Sequence, residues 1–156
     1  MINNHSLFKD CLSLYPSGVT AVTLYDDLHN KIGVTISSFS SLSLEPEMIM
    51  FALKKTSYIH TFFKKNTNIC INILAAKQVK ECLMFTKQNT IDWLKINHSI
   101  HNGFIHLDDA VAQIECVIEK IISAGDHSII IAKADSYLFD KTKSPLIYHN
   151  REFKSF

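Results

Sequence analysis

Glycine is scarce in this chain: Gly18, Gly33, Gly103 and Gly125 are the only four in 156 residues, and no two lie near each other. Neither the G-x-G-x-x-G turn of dinucleotide-binding folds nor the G-x-x-x-x-G-K-[ST] phosphate loop can be written anywhere, so any nucleotide has to be held by other means. An excess of one charge is lacking too. With 16 Lys+Arg against 15 Asp+Glu, net +1, there is no basic footprint for a nucleic-acid backbone. No apolar run reaches the ~18 residues of a membrane span, and the N-terminus, MINNHSLFKDC, lacks the basic-then-apolar order of a secretion signal. A cytoplasmic protein is expected, with neither nucleic acid nor membrane as partner. Cys11, Cys70, Cys82 and Cys116 show no C-x-x-C spacing and read as buried or free thiols rather than as disulfides or zinc ligands.

What is present describes an ordinary globular chain. A length of 156 residues with 47% hydrophobic content suits a single domain, 1–156, able to bury a core. Ser6 to Tyr15 has the spacing of a short helix, with Ser6 as its N-cap and Pro16 and Gly18 beyond its end. After it the pattern turns to strands. Val19 to Tyr25 is β-branched, Asp26 to Lys31 reads as a hairpin turn into Ile32 to Ile36, and Met48 to Leu53 is a continuous apolar run. Short helices are expected at Ser57 to Lys65 and Lys77 to Phe85, the latter offering Val79, Leu83 and Phe85 for burial, with a strand at Asn68 to Leu74 between them. From Ala112 to Glu119, Ala112, Ile114, Cys116 and Ile118 share one face while Gln113, Glu115 and Glu119 fall on the other, as in a half-buried antiparallel strand. Ser128 to Tyr137 and Pro145 to Tyr148 complete the set. Many strands with few short helices predict a mainly β fold, an antiparallel barrel closed or nearly so. Thr86 to Phe104 is the most loop-like interior stretch.

Three local features bear on chemistry. In Gly33 to Pro46, GVTISSFSSLSLEP, a strand runs into a serine-dense loop. Hydroxyls and successive backbone N–H groups there suit a phosphate-bearing ligand, while serine also favours loops for purely local reasons. Lys54 to Ser57, KKTS, puts two ammonium groups before an expected helix start, where anions are attracted, and equally reads as a solvated turn. Gly125-Asp126-His127-Ser128 suits a hairpin turn. His127 is the residue the turn does not require, and an imidazole there can hydrogen-bond a ligand. His98, His101 and His106 are close enough in sequence to raise a metal question. With no Cys or Glu partner beside them they are expected to be solvated, and no metal site is assigned.

Read together, GVTAVT at Gly18 to Thr23, GVTISSFSSLSLEP, LKKTS, ICINIL at Ile69 to Leu74, IECVIEKIISAGDHSIIIAKA at Ile114 to Ala134 and PLIYHNREF at Pro145 to Phe153 resemble the short-chain NAD(P)H:flavin reductases. The resemblance runs from about Phe8 to Phe153. It implies a split β-barrel homodimer with FMN or FAD in a groove near the subunit interface. Thr35, Ser37 and Ser38 then match flavin contacts, Lys55, Thr56 and Ser57 a second flavin-binding loop, and Asn72 a strand residue close to the cofactor. His127 and Tyr148 match the nicotinamide side. Glu47 stands where a second proline is common after Pro46, and Tyr58-Ile59 replaces a more polar pair. The implied reaction is hydride transfer from NADH or NADPH to the flavin, with no side chain needed as acid or base, and with reduced flavin supplied to a partner monooxygenase. Two alternatives stand beside it: a carrier that binds FMN tightly and has little NAD(P)H activity, and a non-enzymatic split-barrel module holding another ligand.

Overall fold

The computed structural model describes residues 4–87 and 91–155. Its strands are β1 (Ser17–Gly18), β2 (Thr20–Tyr25), β3 (Lys31–Ile36), β4 (Ser40–Leu44), β5 (Glu47–Lys54), β6 (Asn68–Ile73), β7 (His98–His101) and β8 (Phe104–Leu107). They continue with β9 (Ala112–Ala124), β10 (His127–Phe139), β11 (Ile147–His149) and β12 (Glu152–Lys154). Two α-helices accompany them, α1 (Asn4–Ser13) and α2 (Val79–Thr86). The mainly β expectation with few helices therefore holds. No helix among the described residues is long and apolar enough to cross a membrane.

Seven strands form one sheet in the order β3-β2-β6-β9-β10-β5-β4, with antiparallel pairing throughout. The two edge strands are consecutive in the chain, joined only by Ser37, Ser38 and Phe39. Six strand spacings of about 4.8 Å separate the edges of a flat sheet by about 29 Å, whereas the short link spans roughly 14 Å at full stretch. The sheet must curl until its edges approach. Between β3 and β4 no ladder forms among the described residues, so the expected barrel is left open along this seam. Ser38 partly bridges it: its Oγ donates to the Ala52 carbonyl at 3.0 Å and accepts the Ala52 N–H at 2.9 Å.

The inside of the curl is the main core, and strand alternation selects it. Val22 and Leu24, Val34 and Ile36, Ile49, Phe51 and Leu53, Ile69 and Ile71, Cys116 and Ile118, and Ile130 and Ala132 all point inward. The opposite face of β2, β6 and β9 carries Thr23, Asn72, Gln113 and Glu115, and all four are buried. The polar face of β9 expected to meet solvent is instead covered, because the β7–β8 hairpin lies over it. Thr23 Oγ1 donates to the Ile105 carbonyl at 2.6 Å, the Leu107 N–H donates to Asn72 Oδ1 at 2.9 Å, and Gln113 Nε2 donates to the Leu107 carbonyl at 2.8 Å. These side chains satisfy backbone groups that burial would otherwise leave unpaired.

Several local expectations need correction. The serine run is a loop only at Ser37 to Phe39, and Ser40–Leu44 is an edge strand. The first helix begins at Asn4, so Ser6 lies within it and not at its cap. Ser57 to Lys65 yields a 3-10 helix at Tyr58–Phe62, and Leu83 is exposed while Cys82 and Phe85 are buried. The stretch Thr86 to Phe104 contains β7 and a short 3-10 helix at Trp93–Lys95; its residues 88–90 lie outside the described ones.

All four cysteines are free thiols and only Cys11 is exposed. Burial pushes the Cys70 and Cys82 thiols up, and pushes Cys116 up to about 12. Because thiolate is the reacting species, native protein should release one equivalent of chromophore rapidly from an aromatic disulfide reagent, and four after denaturation. Rapid reaction of a second thiol in native protein would contradict the burial of the other three.

Candidate functional site

Two clefts meet where β3 ends. One, of about 270 Å³, runs between the end of β3, the end of β5 and the start of β10, and takes in Thr35, Ser37, Ser38, Lys54, Ser57 and His127. The other, of about 330 Å³, lies between β3, α2 and the C-terminal segment, and takes in Thr35, Ser37, Cys82, Leu83, Tyr148 and Arg151. Thr35, Ile36 and Ser37 line both, so the clefts form two arms around the seam of the sheet. A larger hollow of about 760 Å³ lies elsewhere, along Leu42, Met48, Ile121 and Ile131, and carries none of the expected site residues.

Alternation explains how the strand delivers its polar groups. Ile32, Val34 and Ile36 face the core, so Gly33 and Thr35 face α2, and Thr35 Oγ1 donates to the Cys82 carbonyl at 2.8 Å. Gly33 sets how closely the helix can approach: a Cβ built there would lie 2.6 Å from Phe85 Cε1. Beyond Ile36 the chain leaves the ladder, and Ser37 and Ser38 stand exposed at the meeting point. His127 opens β10 opposite Lys54. Its Nδ1 lies 2.7 Å from Asp126 Oδ1, a geometry in which the ring N–H donates and Nε2 is the remaining polar atom of the imidazole. The hydrogen bond from His127 is the main reason the Asp126 carboxyl is held below its usual range.

The other expected residues are distributed unevenly. Ser57 lines the first cleft, but Lys55 and Thr56 are not part of its wall. Lys55 Nζ instead donates to Ser123 Oγ at 2.7 Å and to the Gly125 carbonyl at 2.6 Å, clamping the β9–β10 turn that presents His127. Tyr148 lines the second cleft, away from His127, and its ring packs against Phe153 at 5.3 Å. Asn72 lies in neither cleft. It is 0% exposed, and its Nδ2 donates to Thr23 Oγ1 at 3.0 Å and the Ala21 carbonyl at 3.2 Å while Oδ1 receives the Leu107 N–H. Both ends of the amide are thus engaged by protein, and Asn72 stands apart from the other expected flavin contacts.

The KKTS motif singled out both lysines and the resemblance only Lys55, whereas Lys54, the last residue of β5, is the one that lines the cleft. Sequence reasoning passed over Arg151, the one arginine of the sequence, which pairs with Asp10 of α1 and lines the second cleft. Its backbone lies at φ 63° after Asn150 at φ 51°, a left-handed turn that the preceding asparagine favours.

The histidines are not simply solvated. His98 Nε2 lies 2.7 Å from Lys31 Nζ, while His101 and His106 converge on Glu115, which no local spacing signals because it belongs to a separate strand. His106 and Glu115 are each 3% exposed. Burial raises the Glu115 carboxyl, but hydrogen bonds from Ser136, His101 and His106 outweigh it and hold the group below its usual range.

The residues at the seam fit a flavin in kind. Hydroxyls and strand-end backbone suit the polar edge of the ring system, Lys54 suits a phosphate, and Ile36, Leu83 and Tyr148 supply apolar surface for a planar ring. Comparison with known proteins bears on the same point. A flavin reductase of Pseudomonas putida is 27% identical over 150 residues, covering 96% of this chain and 88% of that protein. The FMN reductase (NADH) SmoA of Agrobacterium fabrum is 31% identical over 134 residues, covering 83% of this chain and 74% of its own. The fold matches that of the NADH:FAD oxidoreductase SgcE6 of Streptomyces globisporus with a TM-score of 0.91 at 21% identity, over 100% of this chain and 95% of that one. The model of the flavin reductase like domain matches residues 12–156, and the chain therefore belongs to that family.

Proposed function

We propose that this protein is an NAD(P)H-dependent flavin reductase that takes FMN or FAD and NADH or NADPH as substrates and hands reduced flavin to a partner monooxygenase. The observation that carries the reading is the meeting of two clefts at Thr35 to Ser37, with His127 and Lys54 on one arm and Tyr148 and Arg151 on the other. Relatives named for this activity support it, among them the reductase subunit HsaB of a flavin-dependent monooxygenase in Rhodococcus jostii, 28% identical over 151 residues. A reduced nicotinamide substrate makes the cytoplasm the compartment proposed.

Bound flavin and reduced nicotinamide would supply the hydride chemistry themselves, so the protein's task would be to hold two rings face to face rather than to move protons. Ser37 and the strand-end backbone N–H groups would donate to the polar edge of the flavin, with Thr35, Ser38 and Ser57 completing that wall; the Ser38 hydroxyl itself is committed to Ala52. Lys54 would meet its phosphate, and Lys55 acts from behind by fixing the neighbouring turn. His127, held by Asp126, accepts the carboxamide N–H of the nicotinamide at Nε2. Tyr148 and Phe153 give the second arm an aromatic wall.

A homodimer of split barrels completes the proposal. Two apolar surfaces without cover support it: Leu7, Phe8 and Leu12 of α1 with Leu14 just beyond it, each more than half exposed, and Tyr137, Leu138 and Phe139 at the end of β10. Patches of this kind mark association surfaces.

The test is NADH and NADPH consumption by purified protein with FMN, FAD or no flavin added. Rapid turnover only with added flavin is expected. A coloured protein that keeps its flavin on dialysis and ignores both nicotinamides would replace this reading with the carrier. His127→Ala should raise KM for the nicotinamide roughly tenfold, the equivalent of one lost hydrogen bond of about 1.4 kcal/mol, with flavin affinity unchanged. Wild-type kinetics in that variant would remove His127 from the site.

A further inference from the structure

We propose that His101, His106 and Glu115 form a binding site for a divalent transition-metal ion of the zinc class, which fastens the β7–β8 hairpin to β9. Nothing in the flavin chemistry calls for it, and it stands independently of the function proposed above. His101 closes β7 and pairs with Phe104 across the Asn102-Gly103 turn, while Ser99 pairs with His106. Cross-strand partners and residues two apart share a face, so the two imidazoles lie diagonally on the side of the hairpin that covers β9. Beneath them, Glu115 is on the outer face of β9 by the same alternation that sends Ile114 and Cys116 to the core.

The donor atoms converge closely. His101 Nδ1 lies 3.0 Å and His106 Nε2 2.8 Å from one carboxylate oxygen, Glu115 Oε1, and the ligand atoms of the three residues all fall within 4.8 Å of one another. A tetrahedral ion with bonds of about 2.0–2.1 Å places its donors about 3.3 Å apart. The two imidazole–carboxylate distances therefore need only a few tenths of an ångström of widening, while the two imidazole nitrogens, which lie within 4.8 Å of each other, close toward the same spacing by rotation of the exposed His101 ring. Two imidazoles and a carboxylate are also the donor set that borderline divalent ions accept, in preference to the all-oxygen sets of magnesium and calcium.

The surroundings match the demands of a ligand set. Ser136 Oγ donates to Glu115 Oε2 at 2.7 Å, which leaves Oε1 turned to the imidazoles, the kind of orienting bond that ligating carboxylates receive. His106 and Glu115 are buried, whereas the His101 side chain is 62% exposed, so the ion has an entry path and its fourth position falls to water. On binding, each neutral imidazole gives up the proton on its coordinating nitrogen and carries it on the other ring nitrogen. Only an imidazole that was already charged releases a proton.

The experiment uses the tag-free, chelator-treated full chain titrated with zinc chloride by calorimetry, and separately with cobalt chloride while visible absorption is recorded. One equivalent of zinc per chain should bind with micromolar or tighter affinity, and cobalt should give the intense visible bands of a four-coordinate centre. His101→Ala changes an exposed side chain and should weaken zinc binding at least tenfold without altering the metal-free melting temperature. Ser136→Ala should weaken it by roughly tenfold through loss of the orienting bond. Absence of a one-equivalent event, equal affinity in wild type and His101→Ala, or a weak six-coordinate cobalt spectrum would each overturn the proposal and leave the cluster as two imidazoles hydrogen-bonded to a carboxylate.

Discussion

Replacing Asn72 with leucine is expected to lower folding stability by about 2–4 kcal/mol while leaving the flavin affinity of the folded protein as it was. The side chains have similar volume, so the loss comes from hydrogen bonds. Leucine leaves the Leu107 N–H without the acceptor it has at 2.9 Å and frees the Thr23 hydroxyl and Ala21 carbonyl from the amide that links them. In a position that is 0% exposed, water does not replace those bonds, and each unsatisfied buried group costs about 1–3 kcal/mol. The β7–β8 hairpin should loosen first, because Asn72 holds its backbone from below. Urea unfolding and a flavin titration of the same preparation make the comparison. Stability that is unchanged alongside weakened flavin binding would mean that the amide reaches the ligand, and would restore the role that family resemblance gives this residue.

Asn72 also marks where sequence reading stops. An asparagine amid β-branched residues in ICINIL is visible as an anomaly, but a polar residue facing a cofactor and one facing a buried strand backbone look alike in sequence. What separates them is the position of β8, whose Phe104–Leu107 segment lies more than thirty residues downstream. Glu115 is the same case, since alternation put it on the polar face of β9 and only the covering hairpin turns that face into an interior. The elements that were legible, β2, β3, β5, β6, β9 and β10, are those whose apolar residues repeat with period two against one core. The ones that were not, β1, β4, β7, β8 and β12, are strands of two to five residues, too short to show a period of their own and held by neighbours the sequence does not name. The site divides in the same way. Thr35, Ser37, Ser38, Ser57 and His127 come together at one cleft, each at the end of a strand that was readable. Lys54 rather than Lys55 reaches the cleft because β5 runs to Lys54, an end point the sequence does not mark, and Arg151 depends on which way the chain turns after its ladder ends, which no local signal carries.

The largest stability effect is expected where α2 meets β3. Phe85 is 0% exposed and packs edge-on against Trp93 at 5.5 Å, so Phe85→Ala should cost about 3–5 kcal/mol, a large share of the roughly 5–15 kcal/mol that holds a domain folded. Gly33→Ala attacks the same contact from the strand side. The added Cβ would lie 2.6 and 2.7 Å from two atoms of the Phe85 ring and 3.1 Å from the Val22 carbonyl; with Trp93 against it the ring has no free direction to swing. Overpacking of this kind costs about 1–3 kcal/mol, and relief comes only by moving α2 outward, which strains the Thr35–Cys82 hydrogen bond. Because Cys82, Leu83 and Thr86 form one wall of the second cleft, Gly33→Ala should also raise the flavin KM, unlike a simple loss of core stability. Trimming the obstructing ring should undo part of this. In Gly33→Ala with Phe85→Leu the two costs should sum to less than their separate values by about 1 kcal/mol or more, the mark of residues in contact. Denaturant midpoints for the two single variants and the double variant measure the coupling, and strict additivity would mean that the helix does not rest on Gly33.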